Sequence, residues 1–95
     1  MEIDSIPDIF QNKIRLSILS ALISGDKKFR DIKEMLDTSD GNLGAQLLKL
    51  ESAEYISCKK EFLNRIPQST YSLTATGRRM FEEYVEMLER ILNKK

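Results

Sequence analysis

The side chains equipped for chemistry in this 95-residue chain exclude more than they offer. There is one cysteine, Cys58, and no histidine. A structural zinc site draws on four Cys, His or carboxylate ligands, a Cys-His pair needs a histidine, and a disulfide framework needs thiols in pairs, so one chain builds none of these. No Gly-rich phosphate loop is present and no carboxylate pair stands out from the general charge density, which argues against an enzyme. We therefore assign no catalytic residue, metal or cofactor. What remains is hydrogen-bonding and ionic chemistry, and it is concentrated at Ser39, Asp40, Asn42, Gln46 and Lys49.

Those residues share a stretch with Leu43, Leu47 and Leu50, whose i, i+4, i+7 spacing puts the leucines on one face of a helix and the polar groups elsewhere. A helix that packs by one side and presents amides, a hydroxyl and an ammonium by the other is suited to a DNA major groove. Asn42 and Gln46 have the amide geometry to pair with adenine, and Lys49 sits where a phosphate would be reached. Asp40 either accepts a hydrogen bond from cytosine or assists the helix cap. Any solvated amphipathic helix shows the same pattern, so the elements around it decide.

Ahead of it, NKIRLSILSALISG carries Ile14, Ile18, Leu19, Leu22 and Ile23 at helical spacing, with Gly25 at the expected C-cap, predicting a helix over 12–24. The Ser5-Ile6-Pro7 stretch predicts either a separate turn or a leading extension, whose Ile9 and Phe10 must be covered by another helix or a second subunit. Lys27-Lys28-Phe29 is short enough to be extended. Ile32, Met35 and Leu36 then predict a helix of about two turns, and Asp37-Thr38-Ser39 a turn, with Asp37 tolerant of a left-handed conformation and Ser39 a good N-cap. The result is a helix-turn-helix unit. Gly41 and Gly44 are unexpected in its second helix, since each costs about 1 kcal/mol relative to Ala. Either close helix packing or close approach of a nucleic-acid backbone would use the missing side chains.

From Tyr55 to Phe62 the period becomes two, with Ile56 and Cys58 on one face, so a strand is predicted. Cys58 reads as a small buried hydrophobe; a redox or intersubunit role would require exposure and a lowered pKa. Leu63 to Gln68 reads as a loop and Thr70 to Leu73 as a second strand. The resulting hairpin is basic through Lys59, Lys60 and Arg65, the arrangement called a wing, with Arg65 at its tip for minor-groove or phosphate contact. Thr74 caps a last helix, whose Arg78 and Arg79 are candidate phosphate contacts. Its apolar stripe of Phe81, Tyr84, Val85, Leu88, Ile91 and Leu92 exceeds what a small core needs and suits a contact between subunits; the alternative is a monomer with the helix folded wholly back.

At 41% hydrophobic and 32% charged residues the chain predicts a single domain over 1–95, with core and wing at 12–73 and the terminal helix at 74–95. The opening MEIDSIPDIF lacks a basic flank and an apolar run, and no segment approaches the roughly 20 apolar residues of a membrane span, so a cytoplasmic location without membrane contact is expected. Fifteen basic and fifteen acidic residues give a formal charge of zero, which suits nucleic acid only if the fold gathers the basic groups.

The order of these elements, with NKIRLSIL in the first helix, DGNLGAQLLKLESAEYI through the third helix into the strand, and YSLTATGR leading into the last helix, resembles the winged-helix transcriptional regulators related to the MarR and ArsR families. The likeness spans Asn12 to Leu92. It implies a mainly α fold with a small β hairpin: a winged helix-turn-helix of three-helix core, wing and long C-terminal dimerisation helix. It further implies a homodimer that binds double-stranded DNA, with helix 39–53 in the major groove and the wing, 59–70, at the flanking minor groove. Members of the group often have glycine in the turn ahead of the strand, where this chain has Glu54. The Cys and His clusters of metal-sensing members are missing, so metal sensing does not carry over, and no residue points to a small-molecule effector. A rival expectation is a winged-helix protein-interaction module without sequence-specific DNA binding, favoured by the zero net charge and the long apolar helix. The two differ in whether Lys49, Lys59, Lys60 and Arg65 share one face.

Overall fold

In the computed structural model, which describes residues 1–93, two 3-10 turns, Ile3–Ser5 and Asp8–Phe10, precede α1, Lys13–Ile23. The N-terminal piece is thus separate from the first helix. Asn12 explains the break: its backbone is extended and its side chain accepts a hydrogen bond from the Arg15 amide, satisfying one of the orphan donors of the first turn. Gly25, at φ 138°, ends α1 as its position in the sequence implies. A two-residue strand β1, Lys27–Lys28, leads into α2, Phe29–Met35, and then α3, Asp40–Ser52. The turn between α2 and α3 contains no left-handed residue, so Asp37 does not use its tolerance of that conformation. Ser39 caps α3 as expected, its Oγ accepting from the Asn42 amide at 3.1 Å.

The helices close on Ile18, Leu19 and Leu22 of α1, Ile32 of α2, and Leu43, Leu47 and Leu50 of α3, all essentially without solvent exposure. Seven fully buried aliphatic side chains at roughly 1.5–3 kcal/mol each make this junction the main source of stability. It fixes the orientation of α3 relative to the rest of the molecule.

Two longer strands follow, β2 at Ile56–Leu63 and β3 at Ile66–Leu73. They pair antiparallel from Ile56–Leu73 to Leu63–Ile66, and β1 adds to the far side of β3 through Lys27–Tyr71 and Lys28–Thr70, giving the sheet order β1-β3-β2. The hairpin is longer than its sequence predicts. Instead of a loop from Leu63 to Gln68, only Asn64 and Arg65 turn the chain, at φ 51° and 67°, as a two-residue hairpin loop requires. Pro67 fits within β3 because β1 does not reach that far, so β3 has a neighbour on one side only.

The last helix, α4, covers Ala75–Asn93; residues 94–95, the end of the predicted terminal segment, lie outside the described residues. Thr74 joins it to the sheet. Its hydroxyl lies 2.7 Å from the Glu54 carbonyl and 3.0 Å from that of Tyr55, and accepts from the Gly77 amide at 2.9 Å. Gly77 has a packing reason: a Cβ there would overlap the Tyr55 carbonyl oxygen and lie 2.8 Å from its carbon. Glu54 adopts φ 64°, so the turn ahead of β2 has the left-handed conformation that glycine favours even though glutamate occupies it. Phe10 plugs the end of the core, its ring stacked on Tyr84 of α4 at 4.8 Å and 12°. The helices, the hairpin and the projecting α4 give extents of 56 × 25 × 21 Å.

Candidate nucleic-acid interface

On α3 the buried positions are Leu43, Gln46, Leu47 and Leu50, the full i, i+3, i+4, i+7 stripe. Gln46 is therefore the fourth member of the core face, 9% exposed, and not the outward base-reading side chain expected of it. Its Oε1 accepts from Arg15 Nη1 at 2.7 Å, and its Nε2 donates to Asn42 Oδ1 at 3.1 Å. Asn42 in turn donates through Nδ2 to Thr38 Oγ1 at 2.8 Å and remains exposed.

Arg15 is the buried partner of α3 that the sequence reading missed. It is 4% exposed, yet every hydrogen bond it makes goes to a neutral oxygen: Nε to the Ile9 carbonyl at 2.8 Å, Nη2 to the Asp8 carbonyl at 3.0 Å, and Nη1 to Gln46. The Asp8 carboxylate stands 3.8 Å away and is almost fully solvated, so it stabilises the guanidinium only weakly. The signal was present. Arg15, Ile18, Leu19 and Leu22 repeat on α1 the same stripe spacing that contains Gln46 on α3. A polar residue at a stripe position of each of two packed helices is what a buried polar pair looks like in sequence.

The side of α3 opposite the stripe carries Gly41, Ala45, Leu48 and Ser52 at its centre, flanked by Gly44, Asn42 and Lys49. Apart from the adjacent residues and backbone of α3 itself, no atom among the described residues lies within 4 Å of where a Cβ would stand on Gly41 or Gly44, so packing against the rest of the described chain does not require either glycine. Leu48 is 63% exposed. Asp40 sits 3.8 Å from Lys33 of α2, and Lys49 is exposed near the helix end.

In the wing, cross-strand partners share a face and successive residues alternate. The register puts Lys59 with Thr70 on one side and Lys60 with Ser69 on the other, so the two lysines do not share one face. Phe62 with Pro67 follows the Lys60 side, and Leu63 with Ile66 the Lys59 side. Phe62, Leu63 and Ile66 are exposed, which gives the tip around Arg65 an apolar collar that its basic residues did not announce. Deeper in the sheet, Cys58 is half-buried opposite Tyr71. Burial, reinforced by Cys58, pushes the Tyr71 phenol up to about 12, a core pairing that matches the small-hydrophobe reading of the thiol.

Arg78 and Arg79 are exposed but engaged: Arg78 donates to the Ile23 carbonyl at the end of α1 at 3.4 Å, and Arg79 pairs with Glu83 at 3.2 Å. The α4 stripe divides. Phe81 and Tyr84 pack on the core and Met87, absent from the expected interface, is buried, whereas Leu88, Ile91 and Leu92 are exposed. Phe10 is committed to the core of its own chain, so it is not available to a second subunit, and Ile9 packs beside it half-buried. Among the described residues no helix is long and apolar enough to cross a membrane, and no group of three or more Cys, Asp or Glu side chains is placed to hold a metal ion.

Comparison with known proteins gives the same architecture. An uncharacterized protein of Methanocaldococcus jannaschii is 32% identical over 78 residues, covering 81% of this chain and 85% of the relative. A transcriptional regulator homologue from Pyrococcus horikoshii OT3 superposes with a TM-score of 0.83 at 24% identity, over 90% of this chain and 86% of its own. A MarR-family transcriptional regulator from Enterococcus faecalis V583 does so with a TM-score of 0.80 at 20% identity, over 92% and 79%. The winged helix DNA-binding domain family matches residues 14–92, nearly all of the α1-to-α4 architecture, and the chain belongs to that family.

Proposed function

We propose that this protein is a transcription regulator that binds duplex DNA as a homodimer, with α3 in the major groove and the wing at the flanking minor groove. The observation that carries the reading is the outward face of α3. Gly41, Gly44 and Ala45 leave its N-terminal half smooth ahead of the exposed Leu48, nothing among the described residues packs on the two glycines, and the cost of two helical glycines is otherwise unexplained. Close approach of a helix to a nucleic-acid backbone uses that smoothness. Asn42 flanks this face as the base-reading amide, with Ser39 and Asp40 at the helix start and Lys49 toward phosphate. Arg65 supports the wing assignment: it holds φ 67° where glycine is favoured, which places a cation at the tip at a conformational cost. Lys59 and Lys60 flank the tip from its two faces. The exposed side of α4, Leu88, Ile91 and Leu92 with the half-buried Val85, pairs with a second copy.

Duplex titrations at several salt concentrations test the reading. Log affinity is expected to fall linearly with log salt with a slope of several units, at roughly −0.9 per phosphate neutralised; a flat dependence overturns it. The apolar wing collar of Phe62, Leu63 and Ile66 favours the second reading, a protein-interaction module. That reading predicts the flat result.

A further inference from the structure

We propose that Arg15 and Gln46 are positioning residues that fix which way round the Asn42 carboxamide faces the DNA, and so set a preference for adenine at one base pair. The proposal rests on the DNA reading above and adds the origin of its specificity.

The argument is one of donors and acceptors. A guanidinium has N–H donors and no acceptor, and it stays charged at any physiological pH. Arg15 cannot turn away, because it is buried and its Nε and Nη2 are held by the Ile9 and Asp8 carbonyls. The Gln46 atom that faces Nη1 must therefore be Oε1. That leaves only Nε2 to meet Asn42, so the Asn42 atom facing Gln46 must be Oδ1, and Nδ2 is directed to Thr38. The Thr38 hydroxyl both donates and accepts, so it follows the order and does not impose it. A charge on α1 thus determines, through one buried amide, the left-to-right order of donor and acceptor on an exposed amide of α3.

Asn42 keeps one free N–H and one free lone pair in that fixed order. In the major groove, adenine offers N7 as acceptor beside the N6 amino donor, whereas guanine offers two acceptors, and only adenine complements a carboxamide at both atoms. An asparagine free to flip would have to be ordered by the DNA; this one is ordered before the DNA arrives.

Gln46→Glu is the discriminating variant. A carboxylate still satisfies Arg15 but has only acceptors, so Asn42 must turn Nδ2 toward it and accept from Thr38 through Oδ1. Every buried group stays paired and the fold is retained, but the order presented to DNA is reversed. Duplexes are selected from a random-sequence pool and sequenced, using the wild-type chain, Gln46→Glu and Asn42→Ala. The expected result is an adenine preference at one position, lost in Asn42→Ala and reduced about tenfold in Gln46→Glu. An adenine preference that survives Asn42→Ala, or one lost there but unchanged in Gln46→Glu, overturns the proposal while leaving DNA binding intact. If the wild-type chain enriches no sequence, sequence-specific reading itself falls, and the specificity claim with it. Side-chain amide NMR of the free protein judges the geometry separately: nuclear Overhauser contacts from the Asn42 amide protons should reach Thr38 in the wild type and move to residue 46 in Gln46→Glu. Contacts unchanged by the substitution overturn the relay.

Discussion

At the scale of single residues, the consequential positions are those where backbone and side chain cannot be exchanged for near equivalents. Gly77 is one. Because a Cβ would meet the Tyr55 carbonyl, which also lies within hydrogen-bond reach of Thr74, neither partner can yield cheaply. Gly77→Ala is expected to cost about 2 kcal/mol or more, by the mechanism of overpacking, although alanine is the better helix former. Urea unfolding checks it; a stability gain would mean the strand–helix junction is looser than described. Gln46 shows where reading residues in one dimension ran out. The leucines of α3 announced the buried face correctly, but the amide was assigned to the other face by its chemistry and not by its spacing. Its true partner, Arg15, lies 31 positions earlier on another helix, and only the packing of α1 on α3 brings them together.

At the scale of elements, helix existence, order and most caps were legible because each rests on local rules: Ser39 and Thr74 as N-caps, Gly25 as terminator, leucine spacing on α3. The wing was legible in kind and not in extent. Asn64 and Arg65 can turn a hairpin in two residues only by both taking positive φ, and arginine does not advertise that conformation. The same fact gives a test. Arg65→Gly should strengthen the hairpin, raising stability by about 0.5–1 kcal/mol, since glycine takes the left-handed conformation without steric cost. It should at the same time weaken binding to all duplexes alike and reduce the salt slope by about one unit. Stability and affinity moving in opposite directions would show that arginine occupies the tip for its charge; unchanged affinity would remove Arg65 from the interface.

At the scale of the whole molecule, α4 is the element on which the proposed dimer depends. Phe81 and Tyr84 tie its middle to the core, Met87 is buried one turn on, and Leu88, Ile91 and Leu92 are exposed toward its end. The sequence showed the stripe but could not divide it, because the division depends on where Phe10 lands against Tyr84. Leu88→Glu combined with Leu92→Glu is expected to halve the sedimenting mass of a dimer while leaving the far-ultraviolet dichroism unchanged, since these side chains are 39% and 82% exposed and contribute little to the fold of one chain. A monomeric wild type would remove the dimer from the proposal.

The sheet order bears on how the protein behaves in solution. With β3 in the middle, β2 has no strand partner on its outer edge among the described residues, and Phe62 and Leu63 stand at its far end. An open strand with an apolar tip is a template for another strand, and lysines on such an edge are a common defence against it. Lys59 and Lys60 therefore stand guard over colloidal stability whether or not they touch phosphate. Replacing both with glutamine should produce visible association at high protein concentration, measurable by light scattering, and duplex DNA that covers the wing should suppress it.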